Sequence, residues 1–358
     1  MRYTITRAAA GALLGTTLCG TGAVHAQSNV SVYGLLDLNV GASTHASSDG
    51  GSVVRVGSGG MNTSRLGFKG SEDLGDGLKA VFQLEAAVLG DTGGTDAALF
   101  KRQANVGLEG RYGRIVFGRS FTTVYDFMIR YDPMGFAPFY SWGTSGGATA
   151  ANKYGMTTGF DNMVKYVGKA GGFTVGASYG AGETPGSAAD NTKGAIGVDY
   201  AAGPWSAVAT WERANGATVA ATGRRDVNTV WHLGAMYTAG TVKLQLAARD
   251  YRLRAGKANV PDVRATLYWT GASWQVAPAD TLILALYAQD VRNVPRAQEA
   301  DPRMVVVSLR HALSRRTDLY VTAADAKAKH GQRVSISRDD PGFADTQRGL
   351  VVGMQHRF

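Results

Sequence analysis

Residues 30–40 read Val30-Ser31-Val32-Tyr33-Gly34-Leu35-Leu36-Asp37-Leu38-Asn39-Val40, and the order of side chains in this stretch decides the fold. In an extended chain successive side chains point to opposite sides. Val30, Val32, Gly34, Leu36, Leu38 and Val40 therefore share one face, and Ser31, Tyr33, Leu35, Asp37 and Asn39 the other. One face suits lipid and the other water. The same period returns after Gly77, where Leu78, Ala80, Phe82 and Leu84 oppose Lys79, Val81, Gln83 and Glu85. It returns again where Leu282, Leu284 and Leu286 oppose Ile283, Ala285 and Tyr287. Past residue 27 helical periodicity is scarce, and no apolar run approaches the roughly 20 residues that a membrane helix needs. Alternating strands can still cross a membrane, because they hide their apolarity from a hydropathy window.

The connections between such segments come in two kinds. Short ones carry tight-turn chemistry: Gly75-Asp76-Gly77, Arg111-Tyr112-Gly113, Gly171-Gly172, Ala202-Gly203-Pro204, Ala239-Gly240, Pro278-Ala279-Asp280 and Ser314-Arg315-Arg316. They alternate with longer polar stretches at 41–62, 89–99, 121–160, 181–192, 214–225, 254–261, 291–301 and 328–345. Seven turns and eight loops separate sixteen strands. This pattern predicts an all-β fold, a sixteen-stranded antiparallel transmembrane β-barrel with short periplasmic turns and long outer loops. Lipid offers no hydrogen-bond partner to an open strand edge, so the sheet must close. A ring of about sixteen strands is too wide for its own side chains to fill, which implies an aqueous channel.

The first 26 residues read as a secretory signal peptide. Arg2 and Arg7 precede an apolar stretch from Ala8 to Leu18, and Val24-His25-Ala26 supplies a small-x-small cleavage site. The expected division is a signal peptide over 1–26 and a barrel over 27–358. Cys19, the chain's single cysteine, lies in the leader, so the exported part has no disulfide framework, thiol nucleophile or cysteine metal site. Removing Arg2 and Arg7 lowers the formal charge from +9 to about +7. The basic residues are scattered singly through strand-like segments, which suits a lined channel better than a nucleic-acid arm. His45, His232, His311, His330 and His356 stand in no recognisable nucleophile motif. An outer-membrane lipase or protease therefore lacks a visible carrier, and neither a cofactor nor a metal is expected.

Several motifs carry a resemblance. Val30-Ser31-Val32-Tyr33-Gly34 is followed by Asp37, by the stretch from Ser64-Arg65-Leu66-Gly67-Phe68-Lys69-Gly70 to Gly75, and by Gly77-Leu78-Lys79-Ala80 with Phe82-Gln83-Leu84-Glu85. Later come Arg102-Gln103-Ala104, Val106-Gly107-Leu108, Phe117-Gly118-Arg119, Val164-Lys165-Tyr166, Leu313-Ser314, Arg316-Thr317-Asp318-Leu319-Tyr320 and His356-Arg357-Phe358. In this order and spacing they resemble the trimeric general-diffusion porins of β-proteobacteria, from the first strand to the last. The resemblance implies a homotrimer in the outer membrane that passes small hydrophilic solutes and ions. Its other partners would be outer-membrane lipid, lipopolysaccharide and the assembly machinery, which reads a C-terminal Phe after alternating apolar residues. Phe358, after Leu350, Val352 and Met354, fits that signal.

Candidate pore residues follow from both sources. Alternation aims Arg65 and Lys69 into the lumen, and the resemblance puts an arginine of this stretch on the basic side of a constriction. The resemblance also puts Arg102 there, whereas counting back from Ala104, Val106 and Leu108 puts Arg102 toward lipid and Lys101 inside. The loop from Phe121 to Phe160 is far longer than ordinary connections. By resemblance it folds into the barrel and narrows the pore, with Asp126 and Asp132 facing the basic wall. Arg65, Lys69, Lys79, Arg102, Lys165 and Arg310 are then the basic lumen candidates, and Asp37, Glu85, Asp126 and Asp132 oppose them, with Tyr33 also in the lumen. Rings of Arg or Lys favour anions, so the basic excess predicts a mild anion preference. The alternative is a substrate-specific channel for small anionic nutrients. Trp205, Trp211, Trp231, Tyr237, Trp269 and Trp274 fit two interfacial girdles. Arg119, at the end of the strand before the long loop, is a candidate for the subunit interface.

Overall fold

A computed structural model describes residues 29–144 and 154–358. The expected leader lies outside these residues. The barrel strands are β1 (Asn29–Ser43), β2 in two pieces (Val53–Ser58 and Arg65–Gly75), β3 (Leu78–Leu89), β4 (Gln103–Gly110), β5 (Gly113–Phe121), β6 (Gly159–Ala170), β7 (Phe173–Gly180) and β8 (Lys193–Ala202). They continue with β9 (Trp205–Val219), β10 (Arg224–Ala239), β11 (Val242–Arg254), β12 (Val263–Gln275), β13 (Asp280–Arg292), β14 (Arg303–Ala312), β15 (Thr317–Lys327) and β16 (Thr346–Arg357).

Each strand pairs antiparallel with the next, and β16 returns to β1 with Leu38 opposite Met354 and Val40 opposite Val352. Both pieces of β2 pair with β1, the first along Leu38–Ser43 and the second along Asn29–Leu35, so together they make one barrel strand. The ring closes at sixteen. One further strand pair, Gly94–Thr95 on Val88–Leu89, decorates an outer loop. No helix among the described residues is long and apolar enough to cross a membrane, and the strands make the crossing.

Alternation sorts the two faces as the sequence predicts. Leu36, Leu38 and Val40 point outward and are exposed on the isolated chain, while Leu35, Asp37 and Asn39 are buried toward the lumen. On β13, Leu282, Leu284 and Leu286 point out, and Ile283, Ala285 and Tyr287 point in.

Four expectations need correction. The stretch 214–225 is not a long loop: β9 and β10 continue their ladder to Val219 and Arg224, with one register shift between Asn215 and Thr218. Ladder hydrogen bonds need no apolar side chains, so the strands run on past the membrane. Trp269 belongs to no girdle. It is buried on the lumen face and donates its Nε1 to the Tyr131 carbonyl at 3.0 Å. The stretch 41–62 is not a loop throughout, since Val53–Ser58 pairs with β1 as the first piece of β2, which is then interrupted at 59–64. Here the chain turns inward over Asp37, with Gly59 in the left-handed region at φ 83°. Finally, 328–345 is not wholly an outer loop, because Ser335 and Ile336 reach in to bind the constriction loop at Trp142 and Tyr140.

Candidate functional site

The long connection between β5 and β6 starts with α1 (Thr123–Met128), capped by the Thr122 hydroxyl, which accepts from the Tyr125 amide at 3.1 Å. A 3₁₀ turn follows at Ile129–Tyr131. This loop lies inside the barrel against the lumen wall of β7 to β13. Four glycines make room for it: a Cβ on Gly176 or Gly197 would meet the Phe127 ring at 3.0 or 2.9 Å, one on Gly234 would meet Tyr131 at 3.2 Å, and one on Gly271 would meet Pro133 at 2.4 Å. Glycine at these positions permits close approach where any side chain would hold the loop off.

Polar contacts fix the loop on this track. The Thr123 amide donates to Ser178 Oγ at 3.0 Å, Tyr131 Oη donates to Asp199 at 2.7 Å, and Gln245 Nε2 donates to the Arg130 carbonyl at 2.8 Å. Further along, Arg249, fully buried on β11, donates Nη1 to the carbonyls of Gly143, at 3.1 Å, and Thr144. On β9 the buried Glu212 accepts the Thr157 amide at 2.9 Å. Arg249 and Glu212 thus hold the two sides of the loop's tip. Alternation puts both on the lumen face, but the sequence does not show what they bind.

The opposite wall, β1 to β4, carries a charged group beside the loop's entrance. Arg102 stands one residue before β4, where strand alternation does not apply. It reaches the lumen side: its Nε donates to Glu85 Oε1 at 2.7 Å, and its guanidinium lies 5.0 Å from the Phe121 ring centroid. Lys101, which alternation aimed inward, pairs instead with the exposed Asp161 at 3.2 Å. Tyr33 Oη donates to Glu85 Oε2 at 2.8 Å and accepts from Gln83 Nε2 at 2.7 Å. Arg65 interacts electrostatically with Arg102, Glu85, Tyr125 and Tyr33. Arg65, Arg102, Glu85 and Tyr33 are therefore one cluster.

Other candidates lie elsewhere. Lys69 sits over the Tyr33 ring at 5.2 Å. Lys79 pairs in register with Glu109, six positions from Glu85 along β3 and so roughly 20 Å toward the short-turn mouth; it is not at the level of the loop. Lys165 donates to the Phe121 carbonyl at 2.9 Å and to Asp126, so it anchors the loop's start and its charge is matched. Arg310 pairs with Asp318 at 3.0 Å near the Ser314 turn.

Two acids expected to face the pore do not. Asp37 accepts the amides of Gly60 (3.1 Å), Met61 (3.0 Å) and Asn62 (2.8 Å) and the Tyr320 hydroxyl (2.6 Å), which secures the inward turn of β2. Asp132 is buried under the loop and accepts from Phe136 N (2.7 Å), Ser141 Oγ (2.8 Å) and Tyr287 Oη (2.5 Å). Burial pushes its carboxyl above the ordinary range, with the hydrogen bonds from Tyr287, Phe136 and Ser141 pulling the other way. Cations outside the candidate set also line the lumen. Arg114 joins Lys69 and Lys79 at the short-turn mouth, and Lys243 on β11 interacts with Arg130 and Arg310.

Arg119 points outward, donating Nη1 to Asp161 at 2.6 Å and Nε to the Lys101 carbonyl. Phe358 pairs backbone to backbone with Gly34 at 3.1 and 3.2 Å, and its ring fills the space where a Gly34 side chain would stand. Two Gly-x-Ser-x-Gly spacings occur, at 143–147 and 176–180. The second runs as plain strand with Ser178 tied to Thr123, not as the strand-to-helix turn a nucleophile requires. The first lies partly outside the described residues.

Known proteins agree with this architecture. A family model described as Gram-negative porin matches residues 8–331. Outer membrane porin protein 32 of Delftia acidovorans is 32% identical over 95% of this chain and 97% of its own, and an outer membrane porin protein of Bordetella pertussis is 30% identical over 94% and 96%. The solved anion-selective porin of Comamonas acidovorans superposes with a TM-score of 0.80 at 27% identity, covering 93% of this chain and all of its own. OmpT of Vibrio cholerae, solved in a trimer form, shares the fold alone, at 18% identity and a TM-score of 0.69 over 92% of this chain and 99% of its own. With its closed sixteen-stranded barrel and inward loop, this chain belongs to the Gram-negative porin family and is a β-barrel channel of the outer membrane.

Proposed function

We propose that the channel passes small hydrophilic solutes by diffusion and prefers anions. One observation carries this reading: the acids that would counter the basic wall are taken up, while key cations are not. Asp37 and Asp132 are buried in hydrogen bonds, Glu85 is paired with Arg102 and Asp126 with Lys165. Among the described residues Arg65, Lys69, Lys79 and Lys243 have no ion-pair partner. A permeating ion therefore meets uncompensated positive charge. The anion-selective porin of Comamonas acidovorans agrees in sign.

The reversal potential of single channels in a salt gradient tests this. Wild type should report anion preference, and Arg65→Glu should weaken or invert it; cation preference in the wild type would overturn the reading. Block of conductance by one class of small anionic nutrient, with others passing freely, would favour a substrate-specific channel.

The remaining parts of the proposal concern assembly. Residues 1–26 act as a cleaved export signal, and Phe358 with its alternating apolar strand is what the assembly machinery recognises. The working unit is a homotrimer in outer-membrane lipid and lipopolysaccharide, with Arg119 near a subunit contact. The chain is a passive channel and not an enzyme.

A further inference from the structure

The cations of the lumen divide by height. Arg65 and Arg102 stand beside the start of the inward loop, whereas Lys69, Lys79, Lys169 and Lys243 stand in the half that opens at the short turns. Lys79 is the second residue of β3 and Lys243 the second of β11, each just past a short turn, and Lys169 is the last but one of β6, just before one. Alternation turns all four inward. They come from β2, β3, β6 and β11, and so surround the lumen instead of lining one wall. None has an ion-pair partner among the described residues.

The charges around them do not cancel this excess. Arg114 lies 3.9 Å from Glu109 on one side, and on the other Lys243 shares its field with Arg130 and Arg310. The acids of this half are engaged within the wall. Asp126 pairs with Lys165, Asp199 with Tyr131 and Arg130, and Asp318 with Arg310, Arg357 and Gln355. Asp73, opposite Lys79 in the ladder, accepts the Gly75 amide at 2.9 Å. The long-loop mouth is different, since Arg55, Arg338 and Lys329 are ion-paired there with Asp340, Asp339 and Asp301.

Two clefts of about 530 and 300 Å³ run along β2 to β6 in the short-turn half and share Gln83, Glu109 and Arg114. Lys69 and Lys79 border the smaller, and Lys165 and Lys169 the larger. Lys69 faces Gln83, four positions from Lys79 along β3 and so roughly 13 Å away. Charges at this spacing cannot converge on one monovalent ion. A chain of phosphates carries charge at every unit and meets several of them together. Ammonium groups bind phosphate as point charges, and a low-dielectric cleft lined by one sign focuses its field. We propose that this inner vestibule binds multivalent anions of the oligophosphate class from the periplasmic side, and that the bound anion plugs the channel beneath the loop. The inference rests on the reading of the barrel as an open diffusion channel and adds a side-dependent block to it.

Single-channel current in a planar bilayer, with sodium tripolyphosphate added to one chamber at a time, tests the proposal. Each channel should be blocked from one chamber at a concentration roughly tenfold or more below that needed from the other. The triple variant Lys69→Gln, Lys79→Gln, Lys169→Gln replaces only exposed residues. It should need on the order of a hundredfold more for half-block, about fivefold per lysine, as for one charge pair in high dielectric. Lys243→Gln should need about fivefold more, and Lys193→Gln, at the long-loop end of β8, should be blocked like wild type. Acetate at the same concentrations should not block. Heat-modifiable migration checks folding; should the triple variant fail it, Lys79→Gln with Lys169→Gln takes its place, with about a 25-fold shift expected. Equal block from both chambers, block of the folded variant at the wild-type concentration, or block by acetate overturns the proposal. The reversal potential in a salt gradient is read on the same channels. Cation preference there overturns the selectivity reading while a one-sided, lysine-dependent block still supports the vestibule site, and anion preference without such block overturns the vestibule site alone.

Discussion

The two walls of the lumen are built on different chemistry. The wall of β7 to β13 offers glycines, buried aromatic rings and single buried charges, and each of these features is matched to a point on the inward loop. The wall of β1 to β4 offers Arg65, Tyr33, Glu85 and Arg102, tied mainly to one another. The first wall sets where the loop lies, and so how wide the channel is. On the proposed reading the second sets what charge a solute meets. Width and selectivity are then separable in this barrel, and substitutions on the two walls should separate them experimentally.

The largest effect is expected at Arg249. Arg249→Met removes the charged donors to the Gly143 and Thr144 carbonyls, and each such hydrogen bond contributes about 1.5–3 kcal/mol. The loop's tip should come away from the wall, with higher and noisier single-channel conductance. Barrel ladders are untouched, so heat-modifiable migration should persist, and an unchanged conductance would refute the clamp. Next come Arg65→Gln and Lys79→Gln, which remove one charge each. The permeability ratio of anion to cation should fall clearly for Arg65 and barely for Lys79, because Lys79 lies in the wide mouth. Equal effects would mean that the level of the loop does not control selectivity.

A smaller effect is expected at Tyr287→Phe, which leaves a buried Asp132 oxygen without its 2.5 Å donor. The loss is about 1–3 kcal/mol, because the Phe136 and Ser141 donors that remain serve the other carboxylate oxygen, and it should appear as added current noise at nearly constant mean conductance. The smallest effect concerns pH. Asp132 titrates above the ordinary carboxylate range when folded, so its contribution to stability is present at low pH and is lost as pH rises through the raised value. Compared with Asp132→Asn, whose stability lacks this dependence, wild type should gain thermal stability as pH falls. A wild-type advantage that shrinks in acid would contradict the burial.

The sequence revealed the barrel well, because alternation is a local property: Val30 to Val40 and Leu282 to Leu286 can be assigned to faces without knowing any partner. It revealed the long loop by length alone. What it could not reveal was where that loop lies. Gly176, Gly197, Gly234 and Gly271 carry no signal in a pattern of apolar and polar residues, and their role exists only when Phe127, Tyr131 and Pro133 rest on them. Asp37 and Asp132 fail for a related reason. A pore-facing carboxylate and one covered by a turn of chain look the same in one dimension. Arg102 shows the converse: alternation misplaced it because the strand begins at Gln103, one residue later.

The join between β1 and β16 has a kinetic consequence. His45 and Thr346 meet across 301 residues of chain, and Tyr320 reaches Asp37 across 283. Contacts of such sequence separation form late, since closing the intervening chain is entropically costly before anything rewards it. Once formed, the ring leaves no free edge from which unzipping can start. Slow closure and slow opening then share one origin, and the barrel's persistence in the membrane is a property of its unfolding rate as much as of its equilibrium stability.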